Sequence, residues 1–162
     1  MKWIALIFVA ASVGVLVGPA TGRSPSGGET IEYQLVGSGI CLGCASYSFT
    51  LRADGRGRFV GGRNTAVRGK RAFRATPAQV REFQARLKPY RPSGEKLMNG
   101  PPHCRTMSTD QDSVYIRWRP ATGAVAHLDY YAGCDYDQNA AMAKALFAAP
   151  RVLPIAAFIG PR

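Results

Sequence analysis

The chain is written in two periods. From Ile31 to Val36, the apolar residues Ile31, Tyr33 and Leu35 alternate with polar neighbours, the period of two that marks a strand with one buried face. From Ala45 to Ala53, Tyr47, Phe49 and Leu51 share one side while Ser46, Ser48, Thr50 and Arg52 share the other, the half-buried antiparallel pattern. Asp54-Gly55 then signals a hairpin. A two-residue loop would set Thr50 opposite Phe59 and turn that ring to the polar face. A three-residue turn, Ala53-Asp54-Gly55, instead sets Phe49 opposite Phe59 and leaves Gly55 in the left-handed bulge position that glycine occupies without strain. A third strand is expected within Thr65 to Arg74, interrupted by Gly69.

The period then lengthens. Thr76 can cap a helix, Pro77 loses no needed donor at its first position, and Gln79 can reach back to complete a capping box. Val80, Phe83 and Leu87 form the apolar stripe of a helix to about Lys88, with Glu82 and Arg86 spaced to pair on another side. Arg91 to Cys104 reads as a Pro/Gly loop. Period two returns at Val114 to Arg119, where Val114, Ile116 and Trp118 alternate with Tyr115, Arg117 and Arg119. After the turn from Pro120 to Gly123 comes a partner strand near Val125 to Tyr131. Asp137 can cap a last helix carrying Met142, Ala145, Leu146 and Ala149, which Pro150 ends. The order β-β-β-α-β-β-α implies an α+β domain, an antiparallel sheet built from hairpins with two packed helices.

Ahead of this domain the pattern is different. Lys2 precedes fifteen residues, Trp3 to Val17, interrupted only by Ser12 and Gly14, and Gly18, Pro19, Thr21 and Gly22 close the run. That is the layout of a secretory signal peptide over residues 1–22, with cleavage expected after Ala20 or Gly22; an uncleaved N-terminal membrane anchor is the alternative. Residues 23–30 form a Ser/Pro/Gly tether and 31–162 one domain, a size at which roughly 68 to 70% of the unfolded surface can be buried. The expected location is outside the cytosol, periplasmic or extracellular.

Export gives the cysteines a meaning, since disulfides persist in oxidising compartments. Four cysteines permit three connectivities. Spacing favours Cys104 with Cys134, which bracket the second hairpin from its outer ends, leaving Cys41 and Cys44 as a short bridge in a Gly-rich turn. Two other readings stand beside this one. Cys41-Leu42-Gly43-Cys44 has the spacing of a thiol–disulfide redox site, although such sites lower a thiol's pKa at a helix N-terminus and here a strand follows. Zinc held by four thiolates usually needs two short knuckles, and the chain has one.

The run from Cys41 through Ser46-Tyr47-Ser48-Phe49-Thr50-Leu51, followed by Asp54-Gly55 and Gly61-Gly62, resembles the opening of a family of exported bacterial domains of unknown function. Members read C-x-G-x-C-P-x-Y, then an alternating strand, D-G, and a strand ending near glycine. The likeness continues through the helix at Thr76, through Asp110 to Trp118, through Tyr131-Ala132-Gly133-Cys134, and to Phe158-Ile159-Gly160. Here the cysteines stand one residue closer and Ala45 or Ser46 replaces the proline. The resemblance implies an exported α+β domain and brings no catalytic or binding residues with it.

Composition sharpens this picture in one respect. Apolar residues at 46% and charged residues at 19% exclude a disordered chain and a multi-span membrane protein. Twenty-one Lys and Arg against ten Asp and Glu give a net charge of +11, and thirteen of those cations lie between Arg52 and Lys96 against three acidic residues. By strand parity Arg52, Arg56, Arg58, Arg68, Lys70 and Arg74 fall opposite the apolar face. A basic sheet face of this kind suits an anionic envelope polymer, a lipid surface or another exported protein, with affinity falling as salt rises. Export argues against nucleic acid, and a simply solvated charged face is the plain alternative.

Catalytic signals are weak. His103 and His127 are the available neutral-pH bases, and His127 shares a strand face with Asp129. No G-x-S-x-G, metal-ligand spacing or phosphate-cradling loop accompanies them. The expected function is an exported binding or structural domain without catalytic residues, cofactor or metal; a thiol–disulfide redox protein or other enzyme using Cys41 and Cys44 is the alternative.

Overall fold

A computed structural model describes residues 28–160. The segment expected to direct export, and residues 23–27 of the expected tether, lie outside these residues, whereas the tether's last residues are structured: the Glu29 carbonyl accepts from Ala53 N–H at 2.9 Å and Thr30 opens the first strand. Among the described residues the strands are β1 (Thr30–Val36), β2 (Tyr47–Arg52), β3 (Arg56–Gly61), β4 (Gly69–Arg74), β5 (Glu95–Met98), β6 (Ser113–Arg119) and β7 (Ala126–Tyr131). The helices are α1 (Pro77–Leu87), α2 (Tyr136–Ala148) and the short α3 (Ala156–Ile159).

The first hairpin is built as the register requires. β2 and β3 pair with Phe49 directly opposite Phe59, and the turn is the three residues between Arg52 and Arg56. Gly55 sits at φ +82°. A Cβ at Gly55 would lie 2.3 Å from the Ala75 carbonyl oxygen, so glycine is needed there both for its backbone angle and for room. At the next turn Gly69, φ +77°, opens β4 rather than interrupting it.

The sheet order is β4-β3-β2-β1-β6-β7-β5. The element order differs from the expected one in three ways: a third, short helix, α3, follows α2 where two helices were expected, and two further differences lie among the strands. Four strands, not three, precede α1, and the loop from Arg91 to Cys104 contains β5, which pairs parallel to β7. The sheet is therefore mixed and not purely antiparallel. Four residues between Gly94 and Asn99 carry too little alternation to be read as a strand; the exposed edge of β7 imposes the pairing on them.

Most apolar residues of the strands face one way; Val36, Val60 and Leu97 are on the other parity. Ile31, Tyr33, Leu35, Tyr47, Phe49, Leu51, Phe59, Val114, Ile116, Trp118, Leu128 and Tyr130 are buried in one cluster with Val80, Phe83 and Leu87 of α1 and Leu146 of α2. Phe83 meets Tyr33 and Phe49 at centroid separations of 6.4 and 5.6 Å, and the Tyr33 hydroxyl donates to the Leu146 carbonyl at 3.1 Å. The helices thus pack on the core face of the sheet.

The start of α1 is the full capping box: Gln79 N–H donates to the Thr76 hydroxyl at 3.2 Å, and Thr76 N–H to the Gln79 side chain at 2.9 Å. Glu82 and Arg86 pair at 2.6 Å. α2 begins differently from expectation. Asp135, not Asp137, holds the cap position, in a left-handed conformation and without a capping side-chain bond. Its carboxylate is instead taken by the Arg105 and Thr106 backbone N–H groups at 3.0 and 2.9 Å. Asp137 lies in the first turn, where its charge still suits the positive end of the helix.

Candidate functional site

With the helices on the core face, no described element covers the other side of the sheet. Strand register lays the polar residues of that side in rows. One row of directly opposed residues runs Arg58, Thr50, Glu32, Arg117, His127 and Glu95, across five strand boundaries. The adjacent row runs Lys70, Val60, Ser48, Gln34, Tyr115, Asp129 and Leu97. The middle of this face holds a groove of about 480 Å³ bordered by Arg58, Ser48, Glu32, Tyr115, Arg117 and Asp129 among others.

Charge is distributed unevenly along the rows. On the β1–β6–β7 side, the acidic groups are engaged. Glu32 binds Arg119 at 2.5 Å and Arg117 at 3.5 Å, Glu95 meets His127 Nδ1 at 3.3 Å, and one oxygen of Asp129 accepts from Asn99 at 2.7 Å. The other Asp129 oxygen is buried with no hydrogen-bond partner among the described residues. On the β2–β3–β4 side cations dominate. Arg56 stands opposite Arg74, and Arg58, Lys70 and Arg52 continue the same face. The nearby Asp54 offsets only Arg56, at 3.5 Å. Among the described residues, Arg52, Arg58, Lys70 and Arg74 make no ion pair.

The structure thus brings Arg52, Arg56, Arg58, Lys70 and Arg74 onto one exposed surface. Arg68 is exposed too but precedes β4, at the loop end of the sheet. The basic region that is continuous in sequence is divided in space: Arg81, Arg86 and Lys88 belong to the helical layer, and Arg71 has the core-side parity of Phe73. Glu32, Thr50, Tyr115 and Arg117 were not among the expected binding residues. Collecting the polar parity of β1, β2, β6 and β7 into one surface would have found them, but that requires knowing that β1 lies between β2 and β6.

The remaining candidates fall elsewhere. His127 and Asp129 do share the open face, but each bonds to a different partner and not to the other. His103 is exposed in the loop before Cys104. Cys41 is joined to Cys44 and Cys104 to Cys134, the pairing that spacing favours. Cys44 leads through Ala45 and Ser46 into a strand, so no helix N-terminus is available to lower a thiol's pKa. Among the described residues no cluster of three His, Cys, Asp or Glu is placed to hold a metal ion, and no helix is long and apolar enough to cross a membrane.

No curated protein and no solved structure shows significant similarity to the chain. A family model does: residues 32–150, from the middle of β1 to the end of α2 and including all four cysteines and the whole sheet after Ile31, match the domain of unknown function DUF6438. The chain belongs to that family.

Proposed function

We propose that this protein is an exported binding domain that holds an anionic polymer against the β2–β3–β4 part of its open sheet face. The observation that carries the reading is the placement of Arg56 opposite Arg74, with Arg58 and Lys70 beside them, on a surface that no described element covers. Like charges directly opposed across a strand pair are unfavourable. A chain of phosphates or carboxylates would turn that repulsion into attraction, releasing its counterions as it binds. The groove continues from Arg58 toward Arg117 and offers Ser48, Thr50 and Tyr115 as neutral hydrogen-bonding groups along the way.

Export is part of the same proposal. It is supported by Lys2 and the apolar run that follows, by the small residues that close that run, and by two disulfides in one small domain. A polymer of the cell envelope is then the natural anionic partner. Retention on immobilised heparin tests the binding claim. Wild type is expected to elute at higher salt than the variant Arg56→Glu/Arg58→Glu/Lys70→Glu, and equal elution of the two would remove the sheet face as the binding surface.

A further inference from the structure

One end of the sheet differs from the other. Where β1, β3 and β7 finish and β2, β4 and β6 begin, the connections are long: residues 37–46, 62–68 and 99–112. At the opposite end, β2 and β3 are joined by three residues and β6 and β7 by six. Both described disulfides lie at the long-loop end. So do five of the six large apolar side chains that the described residues expose, Val36, Ile40, Leu42, Met107 and Tyr136; only Val125 lies at the other end. Single exposed apolar residues are ordinary. Their concentration at one end of a sheet is not.

Ile40 and Leu42 flank Cys41 and stand furthest out, 70% and 95% exposed. Their loop is fixed in place from several sides. The Arg63 guanidinium donates to the carbonyls of Gly37, Ser38 and Gly39 at 2.8, 2.6 and 3.3 Å. Asn64 donates to the Cys44 carbonyl at 3.0 Å, Ser38 N–H to Asp112 at 2.8 Å, and the Cys41–Cys44 bridge closes the tip. Two aliphatic side chains are therefore held in solvent by a loop that need not be ordered when it binds, which lowers the cost of binding. Arg63, which touches this loop, Arg68 in the same β3–β4 connection and Lys70 at the start of β4 put three cations at this end of the sheet, against Asp112, which Ser38 N–H holds. Met107 and Tyr136 sit nearer Asp110, Asp135 and Asp137, so the apolar and basic features coincide only at the Ile40–Leu42 corner.

We infer that this corner is a membrane-surface wedge: Ile40 and Leu42 enter the interface of an anionic phospholipid bilayer, and the positive charge of Arg63, Arg68 and Lys70 at the same end of the sheet attracts its headgroups. Two tips on a protruding loop offer far less than the roughly 800 Å² per partner of a standard protein interface. They suit interfacial insertion, where a small apolar area and electrostatic attraction act together. The wedge goes beyond the polymer-binding reading and does not depend on it, apart from sharing Lys70.

Sedimentation with vesicles of phosphatidylcholine, with and without phosphatidylglycerol, tests it. Wild type is expected to bind the phosphatidylglycerol vesicles, and the charge-neutral Ile40→Ser/Leu42→Ser to bind them about tenfold more weakly with heparin retention unchanged. Both positions are exposed, so an unaltered thermal transition checks that the variant is folded. A Leu42→Trp variant should show an emission blue shift with those vesicles and none with phosphatidylcholine alone. Absence of wild-type binding to anionic vesicles, undiminished binding by the double Ser variant, or an unshifted emission spectrum from the Leu42→Trp variant would each overturn the wedge.

Discussion

Arg56 on β3 lies directly opposite Arg74 on β4, both exposed on the face of the sheet away from the helices. The pair connects stability to binding with opposite signs. Arg74→Glu replaces a like-charge pair by an opposite-charge pair, which should stabilise the free protein by roughly 0.2 to 1 kcal/mol, the low end applying because Asp54 already screens Arg56. The same change should weaken retention on heparin. Chemical denaturation together with heparin elution checks both halves; a variant less stable than wild type would show that the opposed arginines are not in repulsion.

The two disulfides should contribute unequally. Cys104–Cys134 spans 30 residues and Cys41–Cys44 only three. In the chain-entropy description the longer closure is worth about 3 to 4 kcal/mol and the shorter about 2. Replacing Cys104 and Cys134 by Ser should therefore lower the denaturation midpoint more than replacing Cys41 and Cys44. The Cys104–Cys134 bridge also anchors the segment whose Arg105 and Thr106 hold Asp135 at the start of α2. An equal or reversed order in urea unfolding would contradict this assignment.

Alkaline pH should expose Tyr130. Burial first, and the neighbouring Tyr136 second, push its phenol up from 10.0 to about 12. The folded state then keeps a proton that the unfolded chain releases, so this contribution is intact below pH 10 and is lost as pH rises toward 12. The loss is on the order of 2 kcal/mol. Tyr130→Phe should flatten that part of the stability curve between pH 9 and about 12, as followed by urea midpoints; a variant with the wild-type slope would count against it.

Asp135 acts at the other extreme. The Thr106 backbone N–H above all, then the Thr106 hydroxyl and the Arg105 backbone and charge, hold its carboxyl below the ordinary 3.8 against a smaller opposing effect of burial. Its stabilising contribution is present above pH 3.8 and fades as pH falls through the lower folded value. Asp135→Asn should show a shallower acid decline than wild type when unfolding is followed by circular dichroism. Parallel declines would place the acid sensitivity elsewhere.

Local chemistry was legible in the sequence wherever neighbouring residues decide the outcome. The Phe49–Phe59 register follows from parity and one glycine, and the Thr76–Gln79 capping box from residues three apart. The pairing of Cys104 with Cys134 follows from the geometry of a hairpin's outer ends. What sequence did not disclose depends on long-range neighbours. β5 is a strand because β7 offers an unpaired edge, and Asp135 leaves its capping role because Thr106, distant in sequence, competes for its carboxylate. The basic candidates on β3 and β4 could be assigned to one face by counting. The groove could not, since Glu32 and Thr50 meet Tyr115 and Arg117 of β6 only when β1 is inserted between β2 and β6.

In the proposed function one face of the sheet, and not the total charge of the chain, binds the polyanion. The most direct test is the salt dependence of affinity for inorganic polyphosphate in wild type and in two variants of identical net charge, Arg56→Glu/Arg58→Glu/Lys70→Glu on the sheet and Arg81→Glu/Lys88→Glu/Lys144→Glu on the helical layer. The sheet variant is expected to lose affinity and about one unit of log–log salt slope per removed contact, while the helical variant keeps a slope close to wild type. Equal losses in the two variants, or no wild-type binding at low salt, would contradict the proposal.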